Sequence, residues 1–98
     1  MLSVILYTKS GCHLCEGLQE KLSQVTAFPF VLELRDIQDC ADWWQRYQYE
    51  VPVLYLRKSQ AAPEYPVPRP SPRMSVDQLT RHLQKVIDQL PHSGAGTP

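Results

Sequence analysis

The chain has no excess charge of either sign: ten basic and ten acidic residues cancel over 98 residues. A nucleic-acid groove or an anionic membrane surface calls for a basic face, so neither is an expected partner. A basic leader is also missing. The first residues read Met1-Leu2-Ser3-Val4-Ile5-Leu6-Tyr7, an apolar run too short for a signal segment or a membrane span. The expected setting is therefore reducing and cytoplasmic, where three cysteines do not serve as a structural disulfide framework. There is no second C-x-x-C and no paired histidine to complete a four-ligand zinc site, and no metal is expected. No internal repeat is found. What is present is an ordinary apolar fraction of 43%, enough for one core in one domain. That domain is expected over residues 1–90, with 91–98 as a flexible tail and a monomer as the default state.

Ser3 to Thr8 is a short apolar run rich in β-formers and reads as a buried strand. Lys9-Ser10-Gly11 breaks it. From about His13 the period becomes helical, with Leu14, Leu18, Leu22 and Val25 on one face and polar residues between them. Gly17 inside that helix costs about 1 kcal/mol relative to alanine, and close packing against a strand is one reason to keep it. Phe30 to Leu34 reads as a second buried strand, making a βαβ unit with parallel strands and a right-handed crossover. Asp39 is the expected cap of a second helix of about ten residues, running through Trp43, Trp44 and Tyr47. Val51 to Leu56 is a third strand opened by Pro52. Five of the nine prolines then fall between Pro63 and Pro72. Such a stretch is no helix and no central strand; an extended, polyproline-like loop is expected, with a distorted edge strand as the alternative. Ser75 and Gln78 have capping-box spacing before an amphipathic helix carrying Val76, Leu79, Leu83, Val86 and Leu90, which Pro91 stops.

The chemistry sits in Cys12-His13-Leu14-Cys15, where the first strand hands over to the first helix. The first turn of a helix offers unpaired N–H groups and the positive end of the dipole, and both favour a thiolate over a thiol. Cysteines in such places have pKa values of about 3.5 to 7.5, against about 8.5 when free. Cys12, at the mouth of the helix, is placed to attack; Cys15, one turn further in, is placed to resolve the mixed disulfide. His13 and Lys9 are candidate cations beside the nucleophile, each weighed against a plain solvated side chain.

Tyr7-Thr8-Lys9-Ser10-Gly11-Cys12-His13-Leu14-Cys15 resembles the active-site segment of glutaredoxins: an aromatic residue, a small hydroxylated residue, lysine, two residues, then C-x-x-C. The Val51-Pro52 step resembles the cis-proline segment that faces the cysteines across that fold. The resemblance covers about residues 3 to 57, and the last helix fits in order and length. It implies an α/β thioredoxin/glutaredoxin fold, a four-stranded mixed sheet flanked by three helices. It also implies catalytic Cys12 and Cys15, and substrate contacts from Lys9, His13, Val51 and Pro52. The implied partners are protein disulfides or glutathione, the latter as reductant and with no bound cofactor. The composite closely resembles a subgroup of short glutaredoxin-like proteins that carry His-Leu between the cysteines. The departures bear on glutathione. His13 and Leu14 replace the usual proline and aromatic residue, and no Gly-Gly precedes the last helix. Glu50 puts a negative charge where threonine is usual. Arg69 and Arg73 are the candidates to replace lost contacts.

Cys40 reads as a free, partly buried thiol, weighed against a regulatory thiol or a third metal ligand. Trp43 and Trp44 lie about 100° apart on a helix, so one faces the core and the other the surface. Tyr49 and Tyr55 read as packing residues, His82 and His92 as solvent-exposed, and Pro63-x-x-Pro66 as a stiff loop rather than a recognition motif. Three functions follow in order: a dithiol–disulfide oxidoreductase, a metal or iron–sulfur carrier through Cys12 and Cys15, and a non-catalytic binding module.

Overall fold

A computed structural model describes residues 1–90; the expected tail at 91–98, with His92, lies outside them. The chain runs β1 (Ser3–Thr8), α1 (His13–Ser23), β2 (Val31–Asp36), a 3-10 turn (Ile37–Asp39), α2 (Ala41–Tyr47), β3 (Val53–Arg57), β4 (Tyr65–Val67) and α3 (Val76–Gln89). The four strands form one sheet in the order β2-β1-β3-β4. β1 is parallel to β2 and antiparallel to β3, and β3 is antiparallel to β4. This is the expected four-stranded mixed sheet with three helices.

Alternation along β1 divides the core in two. Val4 and Leu6 point to the face covered by α1 and α3, where they join Leu22, Leu54, Leu56, Leu79 and Leu83. Ile5 and Tyr7 point to the face of α2, with Ile37 and the half-buried Trp43, Tyr47, Val53 and Tyr55. Trp43 packs edge-on to Tyr7 with ring centroids 5.6 Å apart, while Trp44 turns outward, as their spacing requires.

Several elements differ from expectation. β2 is an edge strand whose Val31 and Leu34 are exposed, and it extends to Asp36. Its apolar letters look like a buried strand, but only one side has a neighbour. α2 is seven residues long and is preceded by Cys40, not Asp39. Asp36 instead caps the 3-10 turn by accepting a hydrogen bond from the Gln38 N–H at 2.9 Å, and the turn takes in Asp39, which leaves Cys40 at the start of the helix. The proline-rich stretch holds β4, with Pro66 opposite Tyr55. An edge position tolerates the missing proline donor. Tyr49 is 89% exposed, not packed, because α2 ends before it. His82 is half-buried, with Nε2 2.7 Å from the Pro68 carbonyl oxygen.

On the α2 side, charge covers sheet area that so short a helix leaves open. Arg35 on β2 donates to Glu33 at 2.7 Å, to Glu64 at 2.8 Å and to the Tyr7 hydroxyl at 2.7 Å. Arg57 on β3 reaches Glu33 at 2.7 Å and Glu64 at 3.3 Å. The Arg35 guanidinium also lies over the Tyr7 and Trp43 rings, 5.4 and 5.6 Å from their centroids. The Arg35 guanidinium holds the Glu64 carboxyl below the usual carboxylate range, and burial pushes the Tyr7 phenol up.

The capping box of α3 is complete: the Ser75 hydroxyl accepts from the Gln78 N–H at 3.1 Å, and the Gln78 side chain accepts from the Ser75 N–H at 2.9 Å. Ser75→Ala is expected to lower stability by about 1 kcal/mol. Urea unfolding read by circular dichroism checks it; an unchanged midpoint would mean that the helix does not depend on its cap.

Candidate functional site

β1 ends at Thr8, and the chain turns into α1 through a bond from the Cys12 N–H to the Lys9 carbonyl at 3.3 Å. Gly11 takes φ +79° in this turn, a conformation that glycine reaches without steric penalty. Cys12 is the N-cap of α1. Its carbonyl accepts the first helical bond, from Glu16 N–H at 3.1 Å, and its Sγ accepts from the Cys15 N–H at 3.1 Å. Cys12 and Cys15 are joined in a disulfide, with Cα atoms 5.2 Å apart. The two sulfurs differ in access: Cys15 is fully buried and Cys12 is partly exposed. The Cys15 N–H and the open end of α1 face the Cys12 sulfur.

The remaining expected residues divide into two sets. His13 and Leu14, the two residues between the cysteines, come together with Pro52 on one groove. The Val51–Pro52 bond is cis, and Pro52 is buried. His13 is 96% exposed, with Nδ1 3.9 Å from the Glu16 carboxylate. Val51 lies on the other side, against the Ile5–Tyr7 cluster. Lys9 is also directed away from the groove. Its Nζ donates to the Gln48 carbonyl at 2.9 Å and sits 5.7 Å from the Trp44 ring centroid. Carbonyls at a helix end lack intrahelical partners and attract a cation, which accounts for this engagement.

The groove has a volume of about 100 Å³ and runs between α1 and the segment 69–74. Leu14, assigned to the core face from its period, is 52% exposed on the groove rim; Cys15 takes the buried place. The reason is geometric. α1 carries two adjacent stripes, and Leu14, Gly17, Leu18 and Lys21, spaced i, i+3, i+4 and i+7, form the groove side. That spacing is visible in the sequence, but nothing local says which stripe the segment 69–74 meets. Gly17 does not pack closely against a strand: a Cβ there would meet no atom within 4 Å. Arg69 donates to the Glu50 carbonyl, and Lys21 Nζ donates to the Pro72 carbonyl at 2.7 Å, so both cations pin the loop. The Arg73 N–H bonds to Ser71 Oγ at 3.1 Å.

Cys40 is free and half-buried. Among the described residues no three His, Cys, Asp or Glu side chains gather as a metal site, and no helix is long and apolar enough to cross a membrane.

Comparison with known proteins adds family to geometry. None of the curated proteins matches the chain. A solved protein from X. campestris, the structural-genomics target XcR50, is 28% identical, covering 90% of this chain and 99% of its own, with a TM-score of 0.53. A thioredoxin from Thermus thermophilus is 16% identical over 96% of this chain and 77% of its own, with a TM-score of 0.56. The first thioredoxin domain of mouse protein disulfide-isomerase A4 is 8% identical over 99% and 72%, with a TM-score of 0.59. The last two share the fold alone. Residues 3–84 match the profile of the family described as Glutaredoxin-like domain (DUF836). That span takes in both cysteines of the pair, Pro52 and most of α3, and the chain belongs to this glutaredoxin-like family.

Proposed function

We propose that the protein is a dithiol–disulfide oxidoreductase acting on protein disulfides or mixed disulfides. The observation that carries this reading is the asymmetry of the pair: Cys12 is partly exposed at a helix N-cap with an N–H directed at its sulfur, and Cys15 is buried behind it. The Cys12 thiolate attacks one sulfur of a substrate disulfide, whose S–S bond breaks and releases one substrate thiolate. A mixed disulfide remains. Cys15, deprotonated, then attacks Cys12 Sγ and expels the second substrate thiolate, leaving the Cys12–Cys15 disulfide. Two electrons have passed to the substrate. A thiol reductant returns them, with glutathione as the small-molecule candidate and the cytoplasm as a suitable compartment. Pro52 and His13 line the approach to Cys12, while Lys9 and Val51 support the segments on either side of it.

The test is the rate of alkylation of Cys12 against pH in a Cys15→Ser, Cys40→Ser background. A midpoint at least about one unit below 8.5 is expected for a thiolate stabilised at a helix start. A midpoint at or above 8.5 would remove the basis for an activated nucleophile.

A further inference from the structure

The groove beside Cys12 has walls and a rim of different character. Leu18, Met74, Leu79 and Pro52 make an apolar lining, and Leu14 stands at the edge. The far wall is Pro70 and Pro72, which have no backbone N–H to offer a carboxylate. The two cations at the rim are each already bonded to a loop carbonyl, Lys21 to Pro72 and Arg69 to Glu50. His13, at the mouth, lies near the Glu16 carboxylate. The charges of Lys21 and Arg69 stay at the rim, since a bond to a carbonyl does not neutralise them, and the interior of the groove is apolar. An uncharged aliphatic side chain would meet complementary walls. The volume agrees: an apolar cavity of about 150 Å³ holds a benzene molecule, and this groove, at about 100 Å³, is the size for one branched side chain.

Resting on the oxidoreductase reading, we infer that the substrates are polypeptide disulfides in which a branched aliphatic residue adjoins the attacked cysteine, and that this side chain seats in the groove between α1 and residues 69–74. Gly17 is part of the fit. It lies on the groove side of α1, and a Cβ there would meet nothing within 4 Å, so its lack of a side chain keeps the groove open. A larger residue would occupy the space on the groove side that a substrate side chain needs.

The test uses the full chain, pre-reduced, in stopped-flow mixing with disulfide-linked peptides that differ only in the residue after cysteine: leucine, alanine or aspartate. Glutathione disulfide and hydroxyethyl disulfide are run beside them. The leucine peptide is expected to react about tenfold faster than the alanine peptide, as for an aliphatic side chain finding or missing its pocket. The aspartate peptide and glutathione disulfide should also be slower than the leucine peptide. In Gly17→Leu the leucine-to-alanine ratio should fall to about one. The ratio is the readout, so a general loss of reactivity does not imitate the effect. Replacing glycine in a helix favours folding by up to about 1 kcal/mol, and a melting temperature no lower than that of the parent confirms an intact domain. A ratio near one in the parent protein, a preference for the acidic peptide or glutathione disulfide, or an undiminished ratio in a folded Gly17→Leu each overturns the inference. If hydroxyethyl disulfide is reduced in those cases, the oxidoreductase reading stands; if it is not, that reading fails as well.

Discussion

Replacing Cys12 by serine should reduce disulfide exchange to background, a fall of roughly three orders of magnitude or more, as when an enzyme loses its nucleophile. Serine keeps the N-cap acceptor for the Cys15 N–H, so α1 should form as before. The loss is therefore chemical: the hydroxyl does not ionise near neutral pH as a thiol at a helix start does. Cys15→Ser separates the two half-reactions. Its Cys12 should attack as before, since the backbone N–H of residue 15 is unchanged. The mixed disulfide should then persist, because the only thiol placed one turn behind Cys12 has gone. Mass spectrometry after one equivalent of a disulfide-linked peptide should show an adduct equal to one substrate half in Cys15→Ser and none in Cys12→Ser. An adduct on Cys12→Ser would move the reactive sulfur to Cys15 or Cys40, the two remaining thiols.

Arg35→Met should lower stability at neutral pH by about 2 kcal/mol. Methionine keeps an apolar stem under the Tyr7 and Trp43 rings but removes the charged bonds to Glu33, Glu64 and the Tyr7 hydroxyl. Hydrogen bonds to charged groups contribute about 1.5–3 kcal/mol each. Solvent screening of this partly exposed network, and the bonds that Arg57 still makes to both glutamates, reduce the sum. For a domain of this size the melting temperature should fall by about 8–16 °C. The pH dependence identifies the cause. Because Arg35 holds the Glu64 carboxyl below its ordinary value of 4.5, the folded protein binds that proton less readily than the unfolded chain. Glu64 thus contributes stability that is fully present above pH 4.5 and lost as pH falls through its lower folded value. The difference between parent and Arg35→Met should shrink as acid is added. Denaturant melts at neutral pH and at the acid end of the folded range measure it. An equal loss at both would assign the effect to packing instead of charge.

The parts legible in the sequence were those with local causes. β1 is a continuous β-forming run, α1 has a helical period after a glycine turn, and α3 carries both residues of its capping box. The cysteine pair was legible for the same reason, since a strand end, a glycine and a C-x-x-C are consecutive. The less legible parts depend on partners distant in sequence. β4 exists because Leu54 to Leu56 offers an edge to a proline-bearing segment. β2 has the composition of an interior strand, and its place at the edge follows from the sheet order. Asp39 has the type of a helix cap, but it lies inside the 3-10 turn that Asp36 caps, and α2 starts after Cys40. The four-residue ion network draws on β2, β3 and the segment before β4, so no window of the sequence contains it. The groove joins one stripe of α1 to residues about fifty positions later, which is why Leu14 was read as core and Gly17 as a packing glycine.

The position of β1 has a consequence for the chain as it is being made. It is the central pairing strand for β2 and β3, yet it is translated before both. Its antiparallel partner begins at Val53, and α3, which shields the same face, begins at Val76. Cys12 and Cys15 therefore leave the ribosome well before β3 and α3 do. In that interval they are two equivalent thiols on a nascent polypeptide. The difference in exposure between the two sulfurs belongs to the folded domain.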